Sequence, residues 1–215
     1  MRVKICGLRT LDEALAAIDA GADYLGFNFY PPSPRYVDPV TCADITAGIL
    51  QRGYSATFVG VFVNEPVDKI DAILDECGLH LAQLSGDEPR HVLEFLGERA
   101  FKALRPRNAD EIKKAEQLYP LRRAAPAWLV DAFRAGDFGG TGENADWRLA
   151  GALSQRAAIF LAGGLHPGNV CLAVEQVKPW GVDVASGVES GPGKKDPEKM
   201  KAFVLAARKS PVIGA

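Results

Sequence analysis

The adjacent glycines Gly163 and Gly164, in "AGGLHP", stand where an apolar run gives way to a helix-like stretch. A tight turn would explain the pair, because glycine reaches positive φ without steric cost. A bound anion would explain it too, since the amides that open a helix point outward and carry partial positive charge. A second glycine-bearing segment, "ASGVESGPGKKDP", holds Ser186 and Gly187 and offers further amides and a hydroxyl donor. Cys6 ends the run "RVKIC" and is followed by Gly7, whereas Cys42, Cys77 and Cys171 fall in helix-like stretches and read as small core residues. On its own Cys6 also fits a buried thiol. There is no C-x-x-C pair, and His80, His91 and His166 show no ligand spacing, so no metal site is expected.

The elements that must carry these residues alternate along the chain. "RVKIC" reads as a strand, followed by the helical "TLDEALAAIDAG" with Thr10 as N-cap and Gly21 as stop. The strand-like runs "ADYLGFNF", "ATFVGVFV", "LHLAQL", "AFKAL", "AWLVDAF", "AIFLAG" and "GVDVAS" each precede a helical segment, the last being "PEKMKAFVLAAR". These make about eight strand-helix units at intervals of roughly 25 residues. Near-continuous apolar strands such as "AIFLA" suit a parallel sheet covered by helices. The count favours an α/β fold of one domain over residues 1–215, a closed (β/α)8 TIM barrel, over a doubly wound open sheet.

In such a barrel, function belongs at the C-terminal ends of the strands and in the loops beyond them. That selects Cys6, Asn28, Arg35, Asn64, Ser85 with Gly86 and Asp87, Arg105, Asp131, Gly163 with Gly164, and Ser186 with Gly187. The two glycine-bearing loops follow the seventh and eighth strands, where barrels often bind phosphate, which favours the anion reading of Gly163 and Gly164.

"KICGLRT", "GADYLGFNFYPPSPRYV", "VGVFVNE", "QLSGDE", "KALR", "LVDA", "GGTGENADW", "LAGGL" and "GVDVASGVESGPGKKDP" together resemble the phosphoribosylanthranilate isomerase family, in order and spacing, almost end to end. The resemblance implies an Amadori rearrangement of N-(5'-phosphoribosyl)anthranilate in tryptophan biosynthesis, without cofactor or metal. By similarity to the family's motifs, Cys6 of "KICG" is the base that removes the C2 proton and Asp131 of "LVDA" is the acid at the ring oxygen. Both start in the wrong form at neutral pH, a free thiol titrating near ~8.5 and an aspartic acid near ~3.9. Lys4, on the strand face of Cys6, is expected to favour a thiolate, and burial or a nearby negative charge to keep Asp131 protonated.

Arg35 of "PPSPRYV" suits a bidentate clasp on a carboxylate, and the resemblance assigns it to anthranilate. Asp183, an acid inside the eighth strand, is costly unless paired, and has two readings: an ion pair with Lys4 or a contact to a ribose hydroxyl. Two positions depart from the family: Ser85 stands where many members have histidine, and Ala185 where a first serine is common. The four-glycine stretch from Arg134 to Trp147 fits a cover over the site or a plain surface loop. Lys194 and Lys195 fit either added positive potential at the phosphate or a solvated approach to the last helix.

Composition narrows the partners. Lys and Arg total 25 against 27 Asp and Glu, with no long basic run, so no nucleic-acid partner is expected. No run approaches the roughly 20 apolar residues of a membrane span, and the start lacks a signal-like stretch, so a cytoplasmic location is expected. The partner expected is a small phosphorylated substrate, acted on by a monomer or homodimer.

Overall fold

The computed structural model describes residues 1–119, 122–131 and 147–209. Eight parallel strands close into a barrel in sequence order: β1 (Arg2–Cys6), β2 (Tyr24–Asn28), β3 (Thr57–Phe62), β4 (Leu81–Leu84), β5 (Ala100–Leu104), β6 (Trp128–Asp131), β7 (Ile159–Ala162) and β8 (Gly181–Val184). The β1–β8 ladder, with Lys4 opposite Asp183, completes the closure and excludes the open sheet. Between and after the strands lie α1 (Leu11–Asp19), α2 (Pro39–Gln51), α3 (Val67–Glu76), α4 (Arg90–Leu96), α5 (Ala109–Leu118), α6 (Trp147–Ser154), α7 (Val170–Val177) and α8 (Pro197–Arg208).

Local sequence explains the helix starts. Thr10 accepts from the Glu13 amide as N-cap of α1, and Gly21, at φ 97°, ends that unit. Side chains alternate across each strand. Val3 and Ile5 of β1, Leu25 and Phe27 of β2 and Val182 and Val184 of β8 join the main core beneath the helices. The opposite face fills the barrel with Val59, Leu81, Phe101, Leu129, Phe160 and Ala162. Phe160 meets Trp180 at 5.1 Å and Tyr24 at 5.2 Å between ring centroids, an aromatic floor packed edge to face.

Above that floor the barrel interior is polar, around the fully buried Lys4. Its ammonium donates to Asp183 Oδ1 at 2.8 Å and Gln83 Oε1 at 3.0 Å, joining β1, β4 and β8. This ion pair is one of the two readings of Asp183.

A hairpin absent from the sequence reading follows β8: β9 (Glu189–Gly191) pairs antiparallel with β10 (Lys194–Lys195). The reading of Lys195 as solvated is overturned, because it is buried and donates to Glu189 Oε1 and the Ala185 carbonyl; Lys194 is exposed. Cys42 and Cys77 are buried as expected. Cys171 is only half-buried, its thiol 3.7 Å from a Glu175 carboxylate oxygen, because its position on α7 faces away from the core.

Candidate active site

The C-terminal ends of β1 and β6 carry Cys6 and Asp131 to the same mouth of the barrel. A cavity of about 300 Å³ opens there, lined by Asp131, Gly163, Gly164, Asp183 and Ser186 among others. Of the residues expected in catalysis or binding, these five share one wall, whereas Cys6, Arg35 and Gly187 are not among its lining residues. Gly163 and Gly164 lie at φ 96° and 64°, so the pair turns the chain after β7 and lines the cavity as well. Gly187 lies just behind that wall: a Cβ there would overlap the Leu165 carbonyl oxygen, so only glycine lets the loops after β7 and β8 meet. His166 serves its own loop, its ring Nδ1 accepting from the Gly168 amide.

Cys6 is buried at 8% exposure and pairs with Gly26 across β1 and β2. A Cβ at Gly26 would stand 2.8 Å from the Cys6 sulfur, so the missing side chain makes room for the thiol. Burial pushes the Cys6 thiol above its ordinary value, and Asp183 adds to the rise, while Lys4 and Lys195 pull the other way. Lys4 acts toward the thiolate as expected, but burial outweighs it and the net direction is upward. Lys4 itself rises above its ordinary value. Burial alone would lower it, and Asp183 and Cys6 overcome that.

Asp131 is partly open, with a side-chain exposure of 29%. Beside it lies a cation, Arg105, whose Nε is 3.5 Å from Oδ2. The sequence offers burial or a negative neighbour for Asp131, and this neighbour among the described residues is a cation. Arg105 also reaches the Ser85 carbonyl through Nη1, and Ser85 Oγ accepts from Gln83 at 3.2 Å. Ser85 is therefore tied to the Lys4 layer below it. Asn28 and Asn64 hold backbone, accepting from the Tyr30 and Asp87 amides.

Arg35 leans over the turn that follows Cys6: a Cβ on Gly7, at φ 80°, would lie 2.6 Å from Arg35 Cδ. Its Nε and Nη2 donate to Glu189 at 2.7 and 2.8 Å. Reading the sequence missed Glu189, although a lone acid among the glycines of "SGVESGPG" is a visible signal. The stretch 132–146, which includes Gly139 and most of the expected cover, lies outside the described residues.

Residues 3–206 match the family described as N-(5'phosphoribosyl)anthranilate (PRA) isomerase. The chain belongs to this family, an isomerase family. It is 42% identical to the N-(5'-phosphoribosyl)anthranilate isomerase of Citrifermentans bemidjiense, covering 99% of both chains, and 44% identical to that of Myxococcus xanthus, covering 97% and 96%. Among solved structures it resembles phosphoribosyl anthranilate isomerase from Thermotoga maritima, with TM-score 0.82, 36% identity and coverage of 96% and 98%. It also resembles a phosphoribosyl anthranilate isomerase solved in complex with reduced 1-(o-carboxyphenylamino)-1-deoxyribulose 5-phosphate, with TM-score 0.80, 35% identity and the same coverage. Among the described residues no helix is long and apolar enough to cross a membrane.

Proposed function

We propose that this protein isomerises N-(5'-phosphoribosyl)anthranilate to 1-(2-carboxyphenylamino)-1-deoxyribulose 5-phosphate in tryptophan biosynthesis. The observation that carries the reading is the placement of Cys6 and Asp131 at the ends of β1 and β6, at the mouth where the cavity beside Gly163, Gly164 and Ser186 opens.

In this reading the substrate phosphate rests on the Gly163, Gly164, Ser186 and Gly187 loops, and Arg35 meets the anthranilate carboxylate. Asp131, protonated, gives its proton to the ring oxygen as the C1–O bond breaks, and the ring opens to an iminium. Cys6, as thiolate, removes the C2 proton, and the electron pair of that C–H bond moves toward C1 to give an enolamine. The enolamine then takes a proton at C1 while its C2 hydroxyl releases one as the C2=O bond forms, which gives the aminoketose and lets Asp131 regain the proton it gave to the ring oxygen. Only protons move, so the chemistry calls for no cofactor. Burial makes the Cys6 thiolate scarcer but a stronger base once formed. Asp183, anchored to Lys4, offers its remaining acceptor capacity to a ribose hydroxyl.

The test is steady-state turnover by the purified chain in the presence of a chelator. Formation of the aminoketose phosphate supports the proposal, and no turnover overturns it. A complex with the reduced product should seat the phosphate at Gly164 and Ser186; a phosphate elsewhere removes that part.

A further inference from the structure

Glu189 lies on the first strand of the hairpin beyond β8, and its side chain is 5% exposed. Oε1 accepts from Arg35 Nε at 2.7 Å and Lys195 Nζ at 2.8 Å, while Oε2 accepts from Arg35 Nη2 at 2.8 Å and the Gly193 amide at 3.3 Å. These bonds hold its carboxyl below the ordinary range although burial alone would raise it. The hairpin is itself pinned to the loop after β2. Arg9 Nη1 donates to the carbonyls of Pro34 and Gly193, and a Cβ on Gly193 would overlap the Pro34 carbonyl oxygen.

Two features of this cluster bear on the ligand. Glu189 engages Nε and one hydrogen of Nη2, so an incoming carboxylate meets Arg35 at its outer Nη1–Nη2 edge rather than through the fork already taken. The ion pairs also set two cations, Arg35 and Lys195, against one carboxylate. The nearby Glu13 is spent on the backbone amides of Arg9 and Lys195. Arg35 is the more exposed of the two cations, at 23%, and so the one that can reach a ligand.

We propose that Glu189 is the positioning residue that aims Arg35, and so sets the enzyme's preference for a substrate bearing an aryl carboxylate. The inference rests on the function proposed above. An unanchored arginine in a loop samples many rotamers, and fixing it beforehand leaves less freedom to lose on binding. Glu189→Gln keeps one acceptor oxygen and turns an NH2 toward donors, so the fork is lost while side-chain volume is kept.

The experiment compares calorimetric binding of reduced 1-(o-carboxyphenylamino)-1-deoxyribulose 5-phosphate and of its counterpart lacking the carboxylate. In the wild type the carboxylate should improve affinity. In Glu189→Gln that advantage should shrink about 10-fold, the worth of one charge-assisted hydrogen bond. Affinity for the carboxylate-free ligand should be unchanged. In turnover, KM should rise by a similar factor while kcat stays within about 3-fold, the pattern for lost uniform binding. Glu189→Asp, which keeps the charge and withdraws it by one carbon, should lose less in the same direction and serves if the amide variant does not fold. Equal weakening of both ligands, or no loss of carboxylate preference in either variant, overturns the proposal. A wild type that prefers the carboxylate but does not turn over overturns the catalytic function and leaves this inference standing.

Discussion

Replacing Gly26 with alanine adds one methyl group at the point where β2 passes Cys6. The new carbon would stand 2.8 Å from the Cys6 sulfur, 3.0 Å from its α-carbon and 3.2 Å from its β-carbon. Ordinary van der Waals separation begins at 3.4 Å, so the sulfur must retreat by about 0.6 Å. Rotating the thiol does not relieve the clash with the Cys6 backbone, so the two strands must also part, against the three-residue Lys4–Cys6 register that joins them. Overpacking of this kind costs about 1–3 kcal/mol, or roughly 2–12 °C in melting temperature for a chain of this size. The effect on chemistry is larger, because a misplacement near 1 Å can cost about 10²-fold, so kcat/KM is expected to fall by about 10- to 100-fold. The assay pairs turnover at a temperature where the variant remains folded with thermal unfolding. Gly151→Ala is the control, since among the described residues outside its own helix turn its Cβ would approach nothing closer than 3.8 Å, and it removes a glycine from the interior of α6. That variant should be as active as wild type and more stable by about 0.5–1 kcal/mol. Full activity in Gly26→Ala would refute the claim that the sulfur position is set by the space at residue 26.

Three further outcomes follow from the same geometry. Lys4→Met leaves the Asp183 carboxylate buried without its cation, and chemical denaturation should show a loss of about 3–5 kcal/mol. The Cys6 thiol lies above its ordinary value, so the basic form accumulates only as pH rises through that raised value; the ascending limb of kcat/KM governed by Cys6 should fall above the free-thiol range. Glu88 lies below its ordinary value of 4.5: burial raises it, and Lys102 with the Asn64 and Gly86 amides more than compensates. A depressed carboxylate stabilises the fold above its unfolded value and loses that contribution as pH falls through the folded one. Acid unfolding of Glu88→Gln should therefore show a shallower dependence on pH below 4.5 than wild type.

The barrel was legible because its signals are local. "RVKIC" and "AFKAL" coincide with β1 and β5, the Thr10 cap opens α1 where the spacing puts it, and the strand ends direct attention to Cys6, Asp131 and the glycine loops. The Lys4–Asp183 pair was legible as one alternative, because a closed ring makes the first and last strands neighbours and a buried acid needs a partner. What escaped depends on loops meeting in space. Glu189 and Arg35 are 154 residues apart, and no local pattern announces their pairing. The β9–β10 hairpin hides in "ESGPGKK", whose two-residue second strand has no apolar run to mark it. Arg105 follows the last residue of one strand and Asp131 ends the next, yet only the β5–β6 pairing brings guanidinium and carboxylate together. The sign of the Cys6 shift could not be read either, because it depends on a balance between burial and the charges of Lys4, Asp183 and Lys195.

The central claim is that Cys6 and Asp131 divide the proton transfers between them. Its most direct measurement is turnover of N-(5'-phosphoribosyl)anthranilate by Cys6→Ser and Asp131→Asn, with binding of the reduced product measured alongside. Each variant should lose on the order of 10²-fold or more in kcat while binding the reduced product within a few-fold of wild type. Two variants that fold, bind and retain full kcat would contradict the account.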